Sequence, residues 1–170
     1  MHKNYSYKIL EQTRQNILTL EDVKNYSRIS ADNDDNLLVL YINSAIQIAE
    51  NFIKIALVRK VIEVGSDNAM EIKLPFVPVA EILRVEADGE EVGLDNIIVK
   101  DEILTLKQYV ECKRLKVTYS AGNDDIRSIP APIVQGLMQH ISNMYDARGG
   151  GAVSTDGVLE LYQPYRRMII

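Results

Sequence analysis

The sequence contains a single cysteine, no tryptophan and no long run of apolar residues. One cysteine, Cys112, cannot form an internal disulfide or build a cysteine-based metal site, which indicates synthesis in a reducing compartment. No segment approaches the roughly 18 apolar residues of a transmembrane helix, and Met1–Tyr7 lacks the apolar core of a secretory signal. We therefore expect a protein that neither spans a membrane nor carries a secretory signal.

Positive charge is also scarce, because 19 Lys and Arg residues face 24 Asp and Glu residues and give a net charge of −5. This balance argues against a nucleic-acid-binding protein that neutralises phosphates. The excess of negative charge lies in residues 61–130, which hold fourteen acidic and eight basic side chains. Two interpretations stay open: an acidic surface that serves solubility, or a surface that must not hold DNA.

Apolar residues make up 46% of the 170 residues and charged residues 25%, as in ordinary soluble globular proteins. The length is typical of one domain with its own core. Thr19, followed three positions later by Asp22, is typical of a capped helix start and predicts a helix over 20–27. Residues 1–18 show no clear period and are expected to form an N-terminal arm.

The strongest periodic pattern of the chain predicts one long amphipathic helix over 34–56, with Asp32 or Asn33 as its cap. The prolines around Ala131 favour the start of a third helix over 131–147. Gly136 weakens that helix by about 1 kcal/mol relative to alanine, so we expect another helix to pack closely against it.

Short alternating or β-branched runs between 58 and 120 predict a small antiparallel sheet, with Asp88-Gly89 as a hairpin turn. The predicted fold class is therefore α+β and mainly α: a helical body of two long helices plus short ones, with a small antiparallel β insertion. The predicted domains are the arm 1–18, a central domain over 19–148 with the β-rich insertion 58–120, and a hinge with a C-terminal segment over 149–170.

Motifs for catalysis or metal binding fail one after another. The acidic run Asp32–Asn36 resembles the start of a calcium loop but lacks the required glycine and glutamate. The glycine triplet after Arg148 lacks the lysine of a phosphate loop and fits a hinge. His140 has no second metal ligand at helical spacing, and Cys112 has no histidine base suggested by spacing. We therefore expect no catalytic residue, no metal and no cofactor.

The order of several segments resembles the head–tail connector (adaptor) proteins of tailed phages, prophages and gene-transfer agents. Leu18–Lys24 opens a short helix that is followed by an acidic loop and a long helix, as in that family. The later segments with the same resemblance are Leu74–Val79 ("LP-x-x-PV"), Val117–Gly122 ("V-x-Y-x-A-G"), Ile129–Ile133 and Leu159–Arg166 ("LL-x-PYR"). Together they cover about residues 17–168 in the family's order.

The resemblance implies a structural virion protein without enzymatic activity. Such proteins assemble in the host cytoplasm and then form a ring of about twelve copies under the portal, at the head–tail junction of the virion. The ring extends the DNA channel and offers a docking surface for a tail-completion or stopper protein. DNA passes through during packaging and ejection without specific binding, and no membrane is involved.

Two sets of residues are predicted to serve that role. The apolar C-terminal segment follows a hinge and is expected either to pack on its own domain or to contact the portal or a neighbouring subunit through Leu159, Leu161, Tyr162, Tyr165, Arg166, Arg167 and Met168. The acidic pairs in predicted turns are candidates to face the channel and repel phosphates, namely Glu90, Glu91, Asp101 and Glu102. The alternative function is a small regulatory or ligand-binding α+β module, monomeric or dimeric.

Overall fold

The fold was obtained as a computed structural model, which describes residues 5–12, 17–67, 70–107, 112–155 and 157–167. The chain forms two compact units. The β unit comprises the described parts of 1–13 and 58–122, and the helical unit comprises those of 14–57 and 123–170. No described helix has the length and apolar character needed to cross a bilayer.

The β unit contains two antiparallel sheets. Its described strands are β1 Tyr5–Gln12, β2 Lys60–Asp67, β3 Glu71–Lys73, β4 Val79–Ala87, β5 Glu90–Glu91, β6 Ile97–Lys100, β7 Ile103–Leu106 and β8 Arg114–Ala121. The first sheet has the order β1-β2-β8-β4-β5, and the second has the order β3-β7-β6.

Alternation along β2 and β8 places the core on one face of the larger sheet, since successive strand residues point to opposite faces. Val64 and Val117 are directly paired and both fully buried. Tyr119 is buried as well, and its hydroxyl accepts a 3.0 Å hydrogen bond from the Phe76 amide. Burial raises the pKa of Tyr119, so this phenol stays neutral and serves as a core group.

The predicted hairpin turn is confirmed, because Asp88 and Gly89 both adopt positive φ between β4 and β5. The Asp88 carboxylate accepts hydrogen bonds from the amides of Lys113 and Arg114, at 3.1 and 2.8 Å. These bonds hold the pKa of Asp88 below its ordinary value.

The helical unit contains, among the described residues, α1 Leu20–Ser27, α2 Asp35–Ile53, α3 Ala131–Asp146 and α4 Val158–Tyr162. α1 spans the predicted residues and begins with the predicted capping box. Thr19 Oγ1 accepts from the Asp22 amide at 3.0 Å, and the Asp22 carboxylate accepts from the Thr19 amide at 3.0 Å. Two amides at the helix start are thereby satisfied.

α2 is shorter than the predicted span 34–56. It stops at Ile53 because Lys54 takes a left-handed conformation, with φ at 60°, and its amide closes the last turn on Glu50. Asp34 is the residue before the helix, not Asp32 or Asn33, and no side-chain hydrogen bond caps this end.

The prediction of a mainly α fold with a small β insertion is wrong, because eight described strands in two sheets make the protein α+β with a β unit of its own. Part of the difference comes from residues 5–12, which were assigned to the arm but form β1 on the edge of the larger sheet. Pairing of β1 with β2 joins residues about fifty to sixty positions apart, and such non-local pairing leaves no periodic signal in a polar segment.

Candidate functional site

The C-terminal segment packs on the helical unit. Tyr162 of α4 is fully buried, and its ring lies directly against Gly136 of α3. A β-carbon at position 136 would stand 2.5 Å from Cε1 of this ring, so only glycine leaves the space. The expectation that another helix packs closely at Gly136 is confirmed, and the helix is α4.

The end of the segment is joined to the C-terminus of α2. The Arg167 amide donates to the Ile53 carbonyl at 2.9 Å, and its guanidinium donates to the Lys54 carbonyl at 3.4 Å. The Arg166 guanidinium lies 5.2 Å from the centre of the Phe52 ring, within the range of a cation–π contact. Arg167 thus satisfies carbonyl groups that the helix end leaves open.

The predicted interface residues differ in how far they are exposed. Tyr162 is buried inside the unit, whereas Leu159, Leu161, Tyr165 and Arg167 are half-buried. Arg166 is exposed, and Met168 lies outside the described residues. Of the two placements left open by the sequence, packing on the chain's own unit is the one that this structure contains.

α3 also buries a histidine beside this contact, because His140 lies one helical turn after Gly136 on the same face. His140 is 2% exposed, and its Nδ1 atom has no hydrogen-bond partner among the described residues. Burial lowers the pKa of His140 and raises that of the Tyr162 phenol. Both side chains are therefore neutral near pH 7, as packing groups of this interior should be.

The acidic pairs lie in the β unit but in different sheets. Glu90 and Glu91 form β5 of the larger sheet, where Glu91 is 3.5 Å from Arg84. Asp101 and Glu102 form the two-residue turn between β6 and β7 of the smaller sheet, and both have positive φ. Glu90, Glu91 and Asp101 are exposed and Glu102 is half-exposed. All four belong to turns or sheet edges, as expected for solvated carboxylates.

The acidic run before α2 makes ion pairs within the helical unit. Lys24 Nζ lies 2.5 Å from a carboxylate oxygen of Asp32 and 2.8 Å from one of Asp35. Hydrogen bonding to these carboxylates raises the pKa of Lys24, and the same bond lowers that of Asp32. In the part of the chain that the structure describes, no three His, Cys, Asp or Glu side chains cluster to hold a metal.

A contact between Asp34, the residue before α2, and the end of α3 was not indicated by the sequence. The Tyr145 hydroxyl donates to the Asp34 carboxylate at 2.7 Å, and the Arg148 guanidinium stacks 3.8 Å from the centre of the Tyr145 ring. Asp34 thus makes a tertiary hydrogen bond, and its side chain does not cap α2. Residues more than a hundred positions apart meet here, so no local pattern could have indicated the contact.

Residues 17–87 match the sequence profile of the phage gp6-like head–tail connector proteins. The resemblance seen in the sequence is confirmed over this part, which contains α1, α2 and the strands β2 to β4. No curated protein sequence matches the chain significantly.

Solved structures extend the likeness to almost the whole chain. A chain in the neck of a native gene transfer agent particle, computed with C12 symmetry, is 16% identical, with a TM-score of 0.77 and 97% of each chain covered. A chain of the native virion is 17% identical, with a TM-score of 0.75 and 96% of each chain covered. A chain of the neck of the empty particle, computed with C6 symmetry, is also 17% identical, with a TM-score of 0.74 and 97% of each chain covered. At these identities the likeness establishes a shared fold.

Proposed function

We propose that this chain acts as a virion head–tail connector, forming a ring at the junction between head and tail. The observation that carries the proposal is the profile match over 17–87, with a fold likeness over 97% of the chain to a neck protein. The similar neck structures were computed with C6 and C12 symmetry, which supports cyclic assembly here. We place the ring under the portal, where it extends the DNA channel and receives a tail-completion protein.

The connector role is tested by binding to a portal. The purified protein is mixed with portal rings from the same particle, and electron microscopy is used to find an additional ring below the portal. A connector adds a layer with the cyclic symmetry of its own copies. Absence of the layer at saturating protein would contradict the proposal and favour the small ligand-binding module.

In this function the carboxylates of the exposed Glu90, Glu91 and Asp101 and of the half-exposed Glu102 face the channel. Carboxylates on a channel wall repel phosphates and so reduce adhesion of the moving DNA. The proposal rests on the exposure of the side chains and on the acidic excess over residues 61–130. DNA ejection should slow in particles that carry all four as lysine, and more at low salt than at high salt.

A matched variant separates this effect from a mere loss of net charge. Glu21 and Asp146 are exposed in the helical unit, and their reversal to lysine changes the net charge by the same amount as the reversal of Glu90 and Glu91 alone. The helical-unit variant should leave ejection unchanged, whereas the Glu90 and Glu91 variant should slow it. Equal ejection rates for the channel variant and the unaltered particle would show that the four carboxylates are only solvated.

The C-terminal segment supplies a contact to the portal or to a neighbouring subunit through its accessible side chains. Arg166 is the exposed member, and a guanidinium there can pair with a carboxylate of the partner. Deleting the segment would also remove the buried Tyr162, so a point substitution is the cleaner test. Arg166→Glu should weaken portal binding, whereas Arg127→Glu, at another exposed arginine, should not. Equal binding by both variants would contradict the contact.

We further propose that the chain has no catalytic activity of its own. The profile that it matches describes a connector protein, and connector proteins act through assembly. Cys112 is buried, and burial raises the pKa of its thiol, which disfavours the reactive thiolate.

A further inference from the structure

The solvent-facing side of α2 has an unusual composition for an exposed helix surface. Between Asp35 and Glu50 the helix carries no Asp, Glu, Lys or Arg, although such residues make up 25% of the chain. Amphipathic surface helices normally place their charges opposite the buried stripe. Here that side carries only uncharged polar and apolar side chains, over about four turns.

Large apolar side chains are exposed on this side. Leu40 is 58% exposed, Ile48 42% and Val39 38%. Leu40, Ser44 and Ile48 follow each other at four-residue steps and therefore form one row along the helix. The Ser44 hydroxyl donates to the Leu40 carbonyl at 2.9 Å, so its polar group is satisfied within the helix. The row can be covered without leaving a hydroxyl unsatisfied.

We propose that this side of α2, which we call the α2 outer face, is a contact between adjacent copies of the chain. The inference rests on the proposed connector function and assigns one of its subunit surfaces. Depletion of charge at the centre is what distinguishes protein–protein interfaces from other surface. Burial of the α2 outer face between copies would not desolvate any charged side chain of that face.

A second copy is the occupant because the same unit offers a matching uncharged surface. Between Arg127 and Asp146 the chain again has no Asp, Glu, Lys or Arg, and Ala131, Pro132 and Gln135 are exposed there. α2 and α3 pack against each other, so the exposed residues of each helix lie outside that shared contact. A head-to-tail ring contact joins two different surfaces of the same chain, and the helical unit offers two uncharged ones.

The size of the α2 outer face sets the expected strength of the contact. The uncharged stretch between Asp35 and Glu50 is about 21 Å long, and a strip about 10 Å wide along it covers roughly 200 Å². A stable pairwise interface needs about 800 Å² on each partner. One such contact therefore gives only weak association between two free copies. In a closed ring every copy has two neighbours, and the contact is then maintained.

The test compares three forms of the full chain by light scattering over a wide concentration series, with electron microscopy of any large species. The first is the unaltered protein, and the second carries Leu40→Lys and Ile48→Lys. The control is Val153→Lys, at an exposed valine of the helical unit outside α2. All substituted positions are exposed, and circular dichroism verifies that each variant is folded.

The unaltered protein and the control should show masses that rise with concentration, whereas the double variant should keep the mass of one chain throughout. Association of the double variant at the concentrations of the unaltered protein would overturn the inference. So would an unaltered protein that stays a single chain at every concentration.

A portal-binding experiment distinguishes an error about the α2 outer face from an error about the connector function. If the double variant forms a complete ring on portal rings, the α2 outer face is not the contact and the connector function stands. If the unaltered protein forms no layer on the portal, the connector function itself fails.

Discussion

Replacing Gly136 by alanine brings two opposing effects together in the middle of α3. Alanine is more favourable than glycine in a helix interior by about 1 kcal/mol. The added methyl group, however, would lie 2.5 Å from Cε1 and 3.1 Å from Cδ1 and Cζ of Tyr162. Tyr162 is fully buried and has little room to move, and overpacking of this kind costs about 1–3 kcal/mol. We therefore expect Gly136→Ala to lower the free energy of unfolding by about 1 kcal/mol.

The sign of the effect should reverse when the ring is removed. In a Tyr162→Val background the clash is gone and the gain in helix propensity remains, so Gly136→Ala should raise the free energy of unfolding by about 1 kcal/mol. Urea unfolding, followed by the circular dichroism of the helices, gives the free energies of unfolding of the unaltered protein, the two single variants and the double variant. Gly149→Ala is the control, because a β-carbon there meets no atom within 4 Å. A stabilising effect of Gly136→Ala in the unaltered protein, or equal effects in both backgrounds, would refute the reasoning.

Three further predictions concern stability. Gly122→Ala should cost more than about 2 kcal/mol in urea unfolding, because φ is +95° and the new β-carbon would collide with the Val58 carbonyl; Gly89→Ala, also at positive φ but in open space, should cost less. Thr19→Ala removes the cap of α1 and should lower the free energy of unfolding by about 1 kcal/mol; an unchanged midpoint would contradict a stabilising cap. Burial lowers the pKa of His140 below its ordinary value of 6.5, so the unfolded chain takes up the proton first and stability falls as the pH drops below about 6.5; His140→Leu should make the melting temperature less dependent on pH over that range, and an equal dependence would argue against this role.

Some parts of the candidate site could be predicted from the sequence and others could not. The exposure of the acidic pairs could be predicted, because adjacent carboxylates beside turn residues rarely enter a core. The distribution of these pairs over two sheets could not, since Glu90–Glu91 and Asp101–Glu102 look alike as short turn-like stretches. The seven predicted C-terminal residues include Tyr162, which is core. An aromatic side chain after a glycine-rich loop fits an interface and a core equally well, and only the space above Gly136 distinguishes them.

Features that depend on neighbours within a few residues follow from the amino-acid sequence alone. The start of α1 follows from Thr19 and Asp22, the stripe of α2 from its spacing, and the β4–β5 turn from Asp88-Gly89. Each depends on hydrogen bonds or side-chain contacts inside one turn or one hairpin, so the local residues suffice. The resemblance to connector proteins was likewise readable, because it rests on the order of such local segments.

The remaining features depend on contacts between residues that are far apart in the chain. β1 becomes a strand through its ladder with β2, and the left-handed Lys54 ends α2 inside a pattern that looks helical to 56. Asp34 meets Tyr145 across 111 positions, and Tyr162 occupies the space that Gly136 leaves. The cost of closing such loops and the shape of the partner surface determine these choices. Neither quantity is encoded in any single segment of the chain.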